Sequence, residues 1–342
     1  MVYAEKPLVH LPEPVEVLKG LGSRETKAEI IVVLAYHYPE SVAEFRKVAQ
    51  LKKVNVFIAE MGTSRDDIEG MLKGTESMDS FIGRNFNSAN IEFGMKYCPF
   101  LKELHKNGVF IDTVDPYMDE MHQPETYGER FDVISSLDAE GGVLAEAIRS
   151  RNFELYALAS DKLIDLNVKM DSGRNKMRVD AIADGMANGK YYGTIAVEGG
   201  PAHLPMIEQF LKHDKLKDVK VGYELAGKKE LEKQFGEDMM NYFDPKAQVM
   251  LKILSGSEVS QEEKKLQIGR NYLTDVIFAA IETETRFPML ERICKANQLA
   301  DKITSFEEAK ELAEKIGTKT SHEALEILRE HVKNKSSKLS ST

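Results

Sequence analysis

Three side chains with metal-binding chemistry, His37, Glu60 and His203, each follow an apolar run of the chain. Two neutral imidazoles and one carboxylate, with coordination positions left open, suit Zn²⁺, Mn²⁺, Co²⁺ or Fe²⁺ that activates water. Asp112 lies near the end of another run and Asp115 follows it, but an Asp-Pro pair also starts ordinary turns. The pattern predicts a divalent metal ion held by His37, Glu60 and His203. The competing interpretation is that each residue only ends a strand at the solvent boundary.

The apolar runs themselves predict the elements that would bring these side chains together. They are rich in β-branched residues, which is typical of strands buried on both faces of a parallel sheet. The first two flank a segment with helical periodicity, so they form a βαβ unit with parallel strands. Ligands bind outside the carboxyl ends of such strands, where residues distant in sequence converge. The runs are residues 30–35, 54–59, 109–114 and 191–197.

Gly199 and Gly200 form a turn between the last of these runs and a helix expected from Met206. Because glycine has no Cβ, backbone N–H groups can approach a ligand there, next to the positive end of a helix. We interpret both glycines as ligand-contacting residues that chiefly leave room for His203 to reach inward. A tight turn whose histidine packs locally is the alternative.

Catalytic roles fall to Glu60, Arg174 and Asn175. Glu60 is either a third ligand or the general base that takes a proton from water. Arg174 and Arg178 lie four residues apart, so they share a helix face that could hold an oxyanion or a substrate carboxylate. For Arg178, a solvated charged face is the competing interpretation. Asn175 orients a ligand or donates to an oxyanion.

The order and spacing of these motifs resemble the TraB/Tiki family over residues 30–211. Residues 30–42 and 54–60 look like the family's opening, in which a histidine ends the first strand and a glutamate the second. Residues 174–182 resemble its Arg-Asn helix, and residues 200–205 are similar to its second Gly-x-x-His motif. The first motif reads Leu-Ala-Tyr-His here, without the family's glycine.

The resemblance implies a metal-dependent hydrolase of the Tiki metallopeptidase type, with His37, Glu60 and His203 around a divalent ion. Such an enzyme would cleave an amide or ester bond of a peptide or small molecule. The broader superfamily includes erythromycin-esterase-like and ChaN-like proteins, and some members bind haem or sequester peptides. The alternative is therefore a non-catalytic protein that binds haem, a peptide or a phosphorylated small molecule in the same pocket.

Composition excludes several other classes of protein. The 342 residues carry a net charge of −10, which disfavours broad binding to nucleic acid or anionic membranes. Two distant cysteines provide neither a disulfide framework nor a thiolate metal site. We find no signal peptide pattern and no apolar run near the ~20 residues that span a bilayer. We therefore expect a cytoplasmic protein.

The fold class predicted is α/β, with a mainly parallel sheet flanked by helices and a helical C-terminal region. We expect an arm at residues 1–28, an α/β domain at 29–230, a helical region at 231–332 and a disordered tail at 333–342.

Three finer expectations concern the segments between and after the strands. Residues 75–90 have no steady period, which indicates an irregular insertion. Separate helices are expected at 136–167 and 174–186, and single long ones at 235–254 and 265–298. The last of these is apolar enough to mediate homo-oligomerisation through the C-terminal helices.

Overall fold

A computed structural model describes residues 28–87, 90–115 and 128–339 of the chain. The N-terminal arm, apart from residue 28, lies outside the described residues, as do residues 340–342. Residues 88–89 and 116–127 also lie outside the described residues, and a helix begins at residue 128.

Five strands in the described ranges form one all-parallel sheet, which confirms the expected α/β class. Their order across the sheet is β3-β2-β4-β1-β5, so β4 lies between β1 and β2. The apolar run of β1 is buried throughout, as predicted for a strand covered on both faces. The strands are β1 (Glu29–Leu34), β2 (Val56–Ala59), β3 (Phe110–Thr113), β4 (Thr194–Gly199) and β5 (Lys220–Leu225).

Four helices lie between the first three strands. They are α1 (Ser41–Leu51), α2 (Arg65–Lys73), α3 (Met78–Asn85) and α4 (Ile91–Lys106). The expectation of an irregular insertion at residues 75–90 was wrong over α3, because the Ser77 hydroxyl accepts a hydrogen bond from the Ser80 amide and caps a new helix. Phe81 and Ile82 are buried on the inner face of α3, so this helix belongs to the core.

The remaining helices begin or end at other residues than expected. In each case a proline or a local capping residue sets the boundary. Helix α6 runs unbroken across residues 168–173, and the break comes earlier, where the Asn152 side chain accepts from the Leu155 amide. Pro245 and Pro288 begin new helices, because proline fits the first turn and interrupts a longer helix. The helices are α5 (Gly128–Arg149), α6 (Phe153–Ala187), α7 (Met206–Lys212), α8 (Lys228–Phe235), α9 (Pro245–Leu254), α10 (Gln261–Ile277), α11 (Pro288–Ala300), α12 (Phe306–Ile316) and α13 (Ser321–Leu339).

The chain divides into two compact units whose boundaries differ from the contiguous domains expected. Among the described residues, the sheet unit comprises 28–87, 90–115, 174–226 and 254–257, and the helical unit comprises 128–173, 227–253 and 258–339. Residues 128–173 therefore group with the C-terminal helices, and the boundary falls within α6. Residues 333–339, expected to be a disordered tail, belong to α13.

The helical unit packs its own apolar residues into one cluster. Ile268, Tyr272 and Leu273 of α10 are buried in it together with Ala309 and Leu312 of α12. This apolar face is therefore covered within the unit, and homo-oligomerisation through residues 265–298 stays a prediction. No helix in the described part of the chain is long and apolar enough to cross a membrane.

Gly269 allows α10 and α12 to approach closely, which generates a stability prediction. A Cβ at this position would lie 2.7 Å from the Ala309 Cβ. We expect Gly269→Ala to lower the free energy of unfolding by roughly 1–3 kcal/mol through overpacking, measured by urea denaturation. Gly142→Ala is the matched control, because a Cβ there meets nothing within 4 Å on another helix. Equal stability of the two variants would contradict the close packing.

Candidate functional site

The strand order brings His37, Glu60 and His203 to one edge of the sheet. These residues follow β1, β2 and β4, which are neighbours, with Leu34 in register with Gly199. Pairing of Ile58 with Val197 aligns β2 with β4 in the same way. The three side chains named from the sequence are therefore in mutual contact through Glu60.

The Glu60 carboxylate is the centre of these contacts. Its Oε1 lies 2.7 Å from His203 Nε2 and accepts from Arg174 Nη2 at 3.0 Å. Its Oε2 accepts from the Gly200 amide at 2.6 Å and lies 3.3 Å from His37 Nε2. Burial acts to raise the pKa of Glu60, but His203, His37 and Arg174 outweigh it and hold that pKa well below its usual value. Glu60 is therefore ionised.

Gly199 and Gly200 serve the site in two different ways. Gly199 is the last residue of β4, and a Cβ on it would lie 2.9 Å from the His203 Cβ. It leaves room for His203, as the sequence suggested. The Gly200 amide already binds an anion, but that anion is the protein's own Glu60 carboxylate.

Asn175 fixes which nitrogen of His203 carries a proton. The Asn175 Nδ2 donates to the Ala202 carbonyl at 3.1 Å, so its Oδ1 is the atom that lies 2.5 Å from His203 Nδ1. Since an amide oxygen only accepts, Nδ1 must carry a hydrogen. Burial lowers the pKa of His203 to about 4, with Arg178 and Arg174 acting in the same direction. Glu60 acts in the opposite direction, because a protonated imidazole would donate from Nε2 to its carboxylate. In the neutral form, Nε2 presents a lone pair to Glu60.

Helix α6 supplies the two arginines of the site from one face. Arg174 donates from Nε to Asp115 Oδ1 at 2.8 Å and from Nη2 to Asp115 Oδ2, besides its bond to Glu60. Arg178 is fully buried and donates from Nη2 to the Glu198 carbonyl at 2.5 Å. The interpretation of Arg178 as a solvated charge was wrong, since one side of this helix faces the core. Asp115 becomes the second carboxylate that offsets these charges.

Glu198 and Tyr97 belong to the site but were not identified from the sequence. Glu198 is 1% exposed, and its Oε2 accepts from the Tyr97 hydroxyl and from the Glu60 amide at 3.0 Å. Burial raises the pKa of Glu198 to about 7, against the lowering effect of His37 and Tyr97. The only sequence signal was a glutamate inside an otherwise apolar strand.

A cleft of about 120 Å³ opens onto His37 and Glu60. Phe86 and Phe93 form an apolar wall, and the Phe93 ring lies 5.2 Å from the His37 ring. The His37 side chain is 32% exposed, whereas that of His203 is 2% exposed. His37 and Glu60 are therefore the groups that a molecule in the cleft would meet, with His203 behind them.

Comparisons with protein-family models, with curated proteins and with solved structures find no match. The TraB/Tiki resemblance therefore rests on the motifs alone. Within the described residues, no group of three or more His, Cys, Asp and Glu side chains stands spaced to hold a metal ion. The two imidazoles instead lie directly against the Glu60 carboxylate.

Removing the space beside His203 tests the geometry of this cluster. We expect Gly199→Ala to push the imidazole away from Asn175 and Glu60 and to lower the free energy of unfolding by roughly 1–3 kcal/mol. Gly222→Ala is the matched control on β5, because a Cβ there meets nothing within 4 Å. Thermal unfolding of both variants measures the difference, and a neutral effect at Gly199 would contradict the close contact.

The pKa of Glu198 predicts a specific pH dependence of stability. A carboxyl group whose folded pKa is raised from 4.5 to about 7 contributes stability below pH 4.5 that is lost as pH rises through 7. Glu198→Gln mimics the protonated form at every pH. With a chelator present, the variant should gain up to roughly 3 kcal/mol over wild type between pH 5 and pH 8, measured by urea denaturation. Parallel pH profiles would contradict the assignment.

Proposed function

We propose that this protein is a metal-dependent hydrolase that cleaves an amide or ester bond at the His37–Glu60 cleft. The observation that carries the proposal is the His203 tautomer. A neutral His203 with its hydrogen on Nδ1 directs a bare Nε2 at the ionised Glu60 Oε1, 2.7 Å away. Two acceptors at that distance repel each other unless a positive charge lies beside them. Arg174 donates to the same Glu60 oxygen at 3.0 Å, and a divalent cation at His203 Nε2 would add a second positive charge there.

The donor set fits a divalent transition metal in its chemistry. His37, Glu60 and His203 offer two imidazole nitrogens and a carboxylate, a combination that Zn²⁺, Mn²⁺, Co²⁺ and Fe²⁺ accept. Asn175 would act as an outer partner that donates nothing to the ion but holds the imidazole in the ligating tautomer. Burial acts to lower the pKa of His37, but Glu60 and Glu198 outweigh it and raise that pKa, so an ion at His37 Nε2 would have to displace a proton. A bound ion would make water a nucleophile at neutral pH.

The protein's own groups account for orientation and charge in the cleft. Arg174 holds Glu60 and Asp115 in fixed positions through three hydrogen bonds and keeps both carboxylates ionised. An ionised Glu60 is able to accept a proton from water that enters beside His37. Phe86 and Phe93 line the cleft beside that position.

The size of the cleft favours a small reacting group over the alternative of a haem-binding protein. Pockets for drug-sized ligands have volumes of ~300–1,000 Å³. The cleft lined by the described residues measures about 120 Å³, which suits the scissile group of a substrate with the rest outside.

Metal analysis of the purified full chain tests the proposal. We expect one divalent ion per chain in the wild type, measured by inductively coupled plasma mass spectrometry after dialysis. His37→Ala and His203→Ala should each reduce this content at least about 10-fold, because each removes a ligand. His105→Ala is the matched control, since His105 is exposed near the end of α4.

Two results would contradict the proposal. A wild-type protein that binds none of Zn²⁺, Mn²⁺, Co²⁺ or Fe²⁺ on reconstitution would exclude the metal centre. Unchanged metal content in a folded His37→Ala or His203→Ala protein would remove that residue from the ligand set. Hydrolysis of small esters and amides by the metal-loaded protein, abolished by chelation, is the expected catalytic result.

A further inference from the structure

Gly94 lies within α4 at the point where the Phe86 ring packs against that helix. A Cβ on Gly94 would lie 2.7 Å from the Phe86 Cγ and 2.8 Å from its Cδ2. Glycine is less favourable than alanine inside a helix, so a glycine at this position calls for a packing reason. The contact supplies that reason, because a residue without a Cβ leaves room for the ring.

The backbone of Phe86 is held at the end of α3. Its amide donates to the Ile82 carbonyl at 3.0 Å, and Asn85 Nδ2 donates to the Phe81 carbonyl at 2.9 Å. Phe81 and Ile82 are buried in the core of the sheet unit, so α3 is itself anchored. The Phe86 ring therefore takes its position from two fixed elements, the end of α3 and the space beside Gly94.

Phe93, the other aromatic side chain of the cleft, is held by the core. It is 3% exposed and stacks on Tyr97, with the ring centroids 4.8 Å apart. Phe86 is only partly buried, and its ring centroid lies 6.2 Å from that of Phe93. Because Phe93 is fixed, Phe86 is the aromatic side chain whose position sets the size of the cleft in front of His37.

We propose that Phe86, seated against Gly94, is the specificity-determining residue of the cleft and limits the substrate to a compact acyl group at the scissile bond. This inference rests on the proposed hydrolase and names the substrate class of that same site. A cleft of about 120 Å³ admits a short acyl chain, whereas a longer chain meets the Phe86 ring. One methylene group more or less in such a pocket changes kcat/KM by roughly 10–200-fold.

Hydrolysis of p-nitrophenyl acetate and p-nitrophenyl hexanoate by the metal-loaded full chain tests the role of Phe86. The measured quantity is the ratio of kcat/KM for the two esters, because the folded fraction and the metal content of a preparation cancel in it. We expect the wild type to prefer the acetate, and Phe86→Ala to shift the ratio toward the hexanoate at least about 10-fold. Phe110→Ala is the matched control, because Phe110 is a partly buried phenylalanine on β3 that does not line the cleft.

Gly94→Ala tests the same contact from the side of the helix. The added methyl group displaces the Phe86 ring toward the cleft that it lines, so we expect kcat/KM for the acetate to fall at least about 10-fold. The double variant Gly94→Ala/Phe86→Ala lacks the ring that the methyl group would strike, and its ratio should equal that of Phe86→Ala. Gly83→Ala is the control on α3, because a Cβ there meets nothing within 4 Å. A folded double variant that keeps the defect of Gly94→Ala would contradict the inference.

A second measurement tests the inference without hydrolysis. Diethyl pyrocarbonate acylates accessible imidazoles, and the His37 side chain is 32% exposed. Mass spectrometry of the peptide that contains His37 gives the rate of its modification. Phe86→Ala should raise this rate several-fold over the wild type, whereas Phe110→Ala should leave it unchanged.

The outcomes separate this inference from the proposal on which it rests. Absence of ester and amide hydrolysis in the wild type would overturn the proposed hydrolase, and the rate of His37 modification would still decide the role of Phe86. Unchanged selectivity together with unchanged His37 modification in folded Phe86→Ala would overturn the inference alone. Circular dichroism confirms folding, and Phe86→Leu, which also removes the ring, replaces Phe86→Ala if that variant does not fold.

Discussion

The hydrogen bond from the Asn175 amide to the Ala202 carbonyl is the constraint on which the chemistry of this site depends. It turns Asn175 Oδ1 toward His203 Nδ1 and thereby settles the tautomer of a buried histidine. In the neutral form of the ring, the opposite nitrogen carries no hydrogen and lies against an ionised carboxylate. Proteins avoid opposing two buried acceptors unless a proton or a metal ion lies between or beside them. The proposed metal centre follows from this one orientation.

The rest of the sheet unit maintains that arrangement by compensating charge. Arg174 and Arg178 project from one face of α6 toward Glu60, Asp115 and the carbonyl of Glu198. Buried ions are tolerated only when partners and hydrogen bonds replace water, which explains why so many polar groups are concentrated at three strand ends. The glycine turn completes the arrangement, because Gly199 admits the imidazole and the Gly200 amide holds Glu60.

The sequence predicted the parts of this structure that depend on regular patterns. Strand ends placed His37, Glu60 and His203 at one edge because parallel strands share their direction, and the Arg-Asn segment pointed to Arg174 and Asn175. Glu198 and Tyr97 were not predicted as site residues. The burial of a side chain depends on tertiary packing, which the alternation of residues along a short strand does not reveal. The predicted helix lengths were wrong at Pro245 and Pro288. Apolar periodicity continued through both positions, but each proline begins a new helix. No local pattern in the sequence indicated that residues 128–173 group with the helical unit.

The central claim is tested most directly by the nitrogen-15 chemical shifts of the His203 imidazole at pH 7. The shifts are compared between metal-free protein and protein loaded with Zn²⁺ alone. Before metal is added, we expect a neutral ring with its hydrogen on Nδ1. When Zn²⁺ binds, we expect the chemical shift of Nε2 to change much more than that of Nδ1. The assignment of the resonance comes from its loss in His203→Gln. A doubly protonated imidazolium at pH 7 that does not respond to Zn²⁺ would show that a proton, rather than a metal ion, lies between His203 and Glu60.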